Sequence, residues 1–130
     1  MKVIKCLLLY AVIFMLASCK KDPANATVRY EFTATTSAAY LLKFAVNNNT
    51  ESSETIAGTT WTKTVSMTRA GGTAPTIARL TVFPSATWVG TSNTATVTLK
   101  IFVNDTQQAI TTSMLSASDL NTGVYTIASF

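Results

Sequence analysis

Between Thr94 and Asn104 the chain reads TATVTLKIFVN, with Ala95, Val97, Leu99, Ile101 and Val103 alternating with Thr96, Thr98, Lys100 and Phe102. A period of two puts those five residues on one face of an extended strand, because successive side chains leave a pleated backbone on opposite sides. A helix would scatter them around its circumference. No segment from Ala24 onward shows sustained helical periodicity. This alternation therefore constrains the fold more than any other feature, and the chain has to build sheets.

The same period recurs along the chain. TVRYEFT sets Val28, Tyr30 and Phe32 against Arg29, Glu31 and Thr33, and AYLLKFAV puts Tyr40, Leu42, Phe44 and Val46 on one face. NNNTESSE, residues 47–54, reads as a polar turn and loop. In TTWTKTVSMT, Trp61, Val65 and Met67 oppose Thr60, Thr62, Thr64, Ser66 and Thr68, and Lys63 is the one charge on the apolar face. Threonines keep β-propensity on a wet face without adding apolar surface. RAGGTAP, residues 69–75, is the clearest breaker. TIARLTVF follows, with Ala78, Leu80 and Val82 facing in and Pro84 ending it. A loop holding Trp88 and Gly90 leads to the strongest strand. NDTQ then makes a tight hairpin turn into QAITT, the looser SMLSASDLNTG follows, and VYTIASF closes the chain. Turn-punctuated strands at this spacing predict an all-β domain over residues 27–130, an immunoglobulin-like or transthyretin-like β-sandwich of about seven antiparallel strands. Just over a hundred residues bury about two-thirds of their extended surface, enough for a core without staples.

The first 18 residues, MKVIKCLLLYAVIFMLAS, carry Lys2 and Lys5, an uncharged apolar stretch from Cys6 to Ala17, and small residues at Ala17 and Ser18. That is the layout of a secretory signal peptide. As a helix the stretch rises about 18 Å, short of the roughly 30 Å hydrocarbon core. A permanent anchor helix is thus the weaker reading. Leu16, Ala17, Ser18 and Cys19 resemble the lipobox of bacterial lipoproteins. The resemblance implies that Cys19 receives a diacylglycerol as a thioether and becomes the first residue after cleavage. A thiol suits that chemistry because sulfur is nucleophilic near neutral pH, and two or three acyl chains anchor stably where one does not. Residues 19–26 then form the lipidated cysteine and its tether. Cys6 leaves with the signal peptide, so the domain has no thiol and no disulfide. Lys20, Lys21 and Asp22 partly resemble tags that direct lipoproteins to the outer face of the outer membrane; a short solvated tether beside headgroups is the plain alternative. The expected location is the bacterial cell envelope, lipid-anchored in the outer membrane, with either leaflet open.

The formal charge of +4 shrinks once the leader and tether are set aside. From Ala24 on there are six positive residues (Arg29, Lys43, Lys63, Arg69, Arg79, Lys100) and five negative (Glu31, Glu51, Glu54, Asp105, Asp119). A near-neutral domain gives no support to nucleic-acid binding.

VRYEFT, WTKTV, ATVTLKIFVNDTQQA and GVYTIASF are similar, in order and spacing, to the extracytoplasmic domain of the mycobacterial MmpS proteins. Those are small membrane-anchored β-sandwiches that assist transporters of the resistance-nodulation-division class. The resemblance spans about residues 27–130 and implies an accessory role at such an assembly. Two departures count against carrying the partnership over. That family has a transmembrane helix where this chain has the lipobox, and its cysteines in the long strand and at the C-terminus correspond here to Leu99 and Phe130.

The search for chemistry points away from an enzyme. The chain has no histidine, which removes Ser-His-Asp arrangements, histidine metal ligands and imidazole acid–base catalysis. Without a thiol in the domain there is no cysteine nucleophile or zinc site. Glu51 and Glu54 are the one close carboxylate pair and read as solvated loop charges, since a glycosidase pair faces across a cleft. Gly71 and Gly72 lack the following helix of a phosphate loop. DLNTG, residues 119–123, spaces Asp, Asn and Gly like a fragment of a calcium loop but lacks the other acidic ligands, and reads as a turn. No catalytic residue, metal or cofactor is expected beyond the lipid on Cys19. Trp61 reads as core. Trp88, in a loop, is the candidate partner-binding residue, either exposed or plugging the end of the domain. Two functions follow: a non-catalytic accessory subunit of an envelope assembly, or a surface module that binds glycans or proteins through Trp88 and the threonine-rich faces.

Overall fold

The computed structural model describes residues 24–130; the stretch read as a signal peptide, the lipobox-like run ending in Cys19, and Lys20, Lys21 and Asp22 lie outside the described residues. Six antiparallel strands follow in order: β1 (Asn25–Asn47), β2 (Thr50–Thr68), β3 (Ile77–Pro84), β4 (Thr94–Val103), β5 (Thr106–Ser116) and β6 (Val124–Ser129). Among the described residues there is no helix. The all-β class is therefore correct. In place of about seven short strands there are six, because the alternating segments around Tyr30 and Tyr40 are one 23-residue strand. The segment read as a loop after Asn49 is also strand: Glu51, Ser52, Ser53 and Glu54 pair with Ala45, Phe44, Lys43 and Leu42. An apolar, strongly β-forming neighbour supplies the ladder there, and tertiary pairing overrides local polarity.

One sheet runs β5-β4-β1-β3-β6, with β2 on the other edge of β1. The N-terminal part of β1 pairs with β4 through Val28–Val103 to Ala34–Val97. Its C-terminal part pairs with β3 through Tyr40–Pro84 to Phe44–Leu80. β2 accompanies β1 along both parts, with a register shift between Thr33 and Ala38. Three extra residues on β1 at that shift turn the hairpin back on itself. Gly58, at φ +136°, takes the matching corner of β2 in a backbone region that side chains with a Cβ rarely adopt. The sheet is thereby nearly closed into a barrel.

The folded-back strand packs against itself. Phe32 meets Tyr40 at 4.9 Å between ring centroids, and Tyr30 meets Phe44 at 5.9 Å. The Tyr30 hydroxyl donates to the Ala45 carbonyl at 2.7 Å, and that of Tyr40 donates to the Thr36 carbonyl. Burial pushes both phenols up from their ordinary pKa, with the Glu51 charge a smaller contributor at Tyr30. Val28, Leu42, Leu80, Val82, Val97, Leu99 and Ile101 complete a core without accessible surface. The inward faces expected for β3 and β4 are the observed ones. Between β4 and β5, Asn104 and Asp105 both have positive φ, 49° and 64°, the geometry of a two-residue type I′ hairpin.

The connections gather at two ends. The upper end holds the corner of β1, the β3–β4 loop and the β5–β6 loop. The base holds Ala24, the β2–β3 loop, the β1–β2 turn, the Asn104–Asp105 turn and Phe130, whose backbone exchanges two hydrogen bonds with Thr76.

Candidate binding surfaces

Trp88 sits at the upper end, where the chain crosses from β3 to β4. Its ring meets Tyr40 edge-on at 5.2 Å, and its indole N–H donates to the Ser92 carbonyl at 3.0 Å. Its backbone N–H donates to Ser85, and Ser85 donates to Ala39. A Cβ on Gly90 would come within 2.8 Å of the Trp88 indole nitrogen, so only glycine lets the loop wrap the ring this closely. Trp88 is half-buried against the core, while neighbouring Val89 is 85% exposed. The arrangement is a loop with a rigid aromatic floor and an apolar tip.

The outer surface formed by β2, β1, β4 and β5 is the threonine face. Strand register places Thr60, Thr33, Thr98 and Thr112 side by side across all four strands. Neighbouring strands are about 4.8 Å apart, so the row extends roughly 14 Å. The Thr98 and Thr112 hydroxyls share a hydrogen bond of 3.0 Å. Further down, Arg29 lies over the Phe102 ring and bonds to Glu31 and Asp105. Sequence reading identified the threonines of single strands; the row across strands is set by register and had no local signal.

Glu54 differs from its reading as a solvated loop charge. It is a half-buried residue of β2 that accepts from the Trp61 indole at 2.9 Å and from the Lys63 ammonium. Trp61 in turn packs on Phe44, and Lys63 lies over the same ring. Because β2 turns its corner at Gly58, residues from its two arms meet, and the charge noted on the apolar face of TTWTKTVSMT finds its counterion. The hydrogen bond from Lys63, then that from Trp61, holds the Glu54 carboxyl below the usual glutamate value. Glu51 pairs opposite Ala45 and Glu54 opposite Leu42, so the two carboxylates leave opposite faces of the strand. This cluster was missed because its members are joined only by the bend.

Residues 119–123 form consecutive turns, with Asp119 donating its N–H to Ser116 and Thr122 donating to Asp119. Among the described residues no three acidic, histidine or cysteine side chains gather as a metal site. Leu99 is buried beside Phe32 and Thr111, whereas Phe130 packs at the base. No protein-family model matches the chain, and no curated protein matches it significantly in sequence.

Proposed function

We propose that the chain is a bacterial envelope lipoprotein, anchored by acyl groups on Cys19, whose β domain works as a non-catalytic accessory or binding subunit of a membrane or surface assembly. The observation that carries the reading is the run Leu16-Ala17-Ser18-Cys19 after an apolar leader. The fold supports it by where the chain enters: Ala24 is at the base, bonded to Arg69, and the Trp88 loop is at the other end. Five residues from Cys19 to Ala24 reach at most about 18 Å, which stands the base on the headgroups and turns Trp88 and Val89 toward a partner. We read the two arms of the folded sheet as standing in for the layers of an immunoglobulin-like or transthyretin-like sandwich, and an MmpS-like role beside a transporter belongs to the same proposal. Palmitate labelling tests the anchor: label that disappears in Cys19→Ser supports it, and label that persists overturns it. Crosslinking in cells, followed by purification in mild detergent and mass spectrometry, tests the assembly; recovery of the protein alone refutes the accessory role.

A second reading rests on the threonine row and the exposed Val89: a surface-exposed module that binds glycans or proteins directly. Protease added to intact cells distinguishes the two, since full protection removes this second reading. Trp88→Ala with unchanged binding to every tested partner takes Trp88 out of the contact surface.

A further inference from the structure

The base of the domain contains a depression of about 580 Å³ lined by Ala24, Arg69, Gly71, Gly72, Pro75 and Phe130, among others. Arg69 is its one charged lining residue. Its guanidinium lies over the Phe130 ring, 5.5 Å from the centroid, and no carboxylate of the described residues forms an ion pair with it. Its Nε is buried and has no hydrogen-bond partner among the described residues. A buried donor on a charged group left unpaired is costly, and such an orphan asks for an acceptor or a counter-charge.

The surrounding backbone is held open. Arg69 donates its N–H to Ala24, Ala70 donates to the Thr76 hydroxyl at 2.7 Å, and Thr76 is locked to Phe130. Between these ties, the amides of Gly71, Gly72 and Thr73 donate none of the turn and loop hydrogen bonds. Neither glycine has anything within 4 Å of where a Cβ would be. A fixed planar fork beside free amides on a loop without side-chain bulk is suited to a tetrahedral oxyanion. In sequence Lys20 and Lys21 precede Ala24 by four and three residues and, with Asp22, leave the tether a net positive charge.

We propose that the Arg69 loop is a phosphate-binding site, filled by a phospholipid headgroup beneath the anchored domain or by free phosphate. Only the headgroup source rests on the lipoprotein reading; phosphate recognition does not need the anchor. Headgroup binding would fix the tilt of the domain and keep the Trp88 end pointing away from the bilayer.

The test is an amide-shift titration of the isotope-labelled full chain, purified from membranes in an uncharged maltoside detergent and weighed intact to record acylation of Cys19. Inorganic phosphate is added in one arm, with sodium chloride at equal ionic strength as control. In the other, the protein is moved to nanodiscs of phosphatidylcholine alone or with phosphatidylglycerol. Phosphate-dependent shifts at Arg69, Gly71 and Gly72, weakened about tenfold or more in Arg69→Gln, as expected for one lost charge-assisted hydrogen bond, support the site and identify free phosphate as sufficient. The same shifts in phosphatidylglycerol nanodiscs alone, again lost in the variant, support the headgroup source. Arg69→Lys keeps the charge and the contact with the ring and should bind with intermediate strength, which preserves the test if the glutamine variant folds poorly. No shift in either arm, or shifts that persist in Arg69→Gln, overturns the proposal. An unacylated mass with an intact phosphate response would refute the anchor and leave the site standing.

Discussion

Along the side of the molecule bounded by β2, two charges, Glu54 and Lys63, point inward and satisfy each other under Trp61. Along the side bounded by β5 and β6, neither strand carries a charge, and Ile110, Met114, Tyr125 and Ile127 are exposed. Both sides end in strands with one unpaired edge. An edge strand is a template for another chain, and inward-pointing charges and bulges are means of blunting it. β2 has the inward-pointing charges, turns its corner with the bulge on its partner β1, and is 19 residues long; β6 is six residues long and has no charge. The comparison teaches that the long edge is protected by chemistry, whereas the short one relies on its length.

The largest effect should come from the ring on which the protected side is built. Phe44→Ala removes the contacts to Tyr30 and Trp61 and should cost about 3–5 kcal/mol in denaturant unfolding, as for other fully buried aromatics. A loss under about 1 kcal/mol would mean that the fold-back of β1 does not depend on its aromatic pairs. Next, Gly58→Val forces a β-branched residue to φ +136° at the corner of β2 and should cost about 1–3 kcal/mol. An unchanged midpoint would show that β2 turns without a special backbone.

A smaller effect belongs to the Glu54 cluster. Its side chains are over a third exposed, so solvent screening holds the contribution below about 1 kcal/mol. The folded-state pKa of Glu54 lies below its ordinary value of 4.5. Its stabilisation is therefore complete above that value and is lost as pH falls through the lower folded value. Glu54→Gln should flatten this acid limb of the stability curve, and an identical limb in the variant would place the acid sensitivity elsewhere. On the other side, Tyr125→Lys and Met114→Lys alter exposed positions and should shift stability within about 0.5 kcal/mol. A larger loss from either would show that the uncharged side is packed more tightly than its exposure indicates.

The alternation around Leu99 and Leu80 was legible because burial on one side of a sheet writes itself at a period of two, residue by residue. The turn at Asn104-Asp105 was legible for a similar local reason, since few residues accept positive φ twice in succession. Trp88 was recognisable as a residue of interest, but its indole bond to Ser92 and its seat on Tyr40 required the loop conformation. Glu54 misled, because a polar run looks like a loop when the strand that pairs with it is out of view.

By itself the sequence determined that the domain from Ala24 on is all-β and which faces of its strands are apolar. Only the tertiary structure decided that β1 and β2 each turn a corner and serve both arms of the sheet, that Glu54 meets Lys63, that four threonines align across strands, and that Arg69 has no acidic partner among the described residues. The physical reason is range. Side-chain alternation and turn preferences act over a few residues, whereas register, counterions and cavities depend on which distant segments are brought together when the apolar faces close.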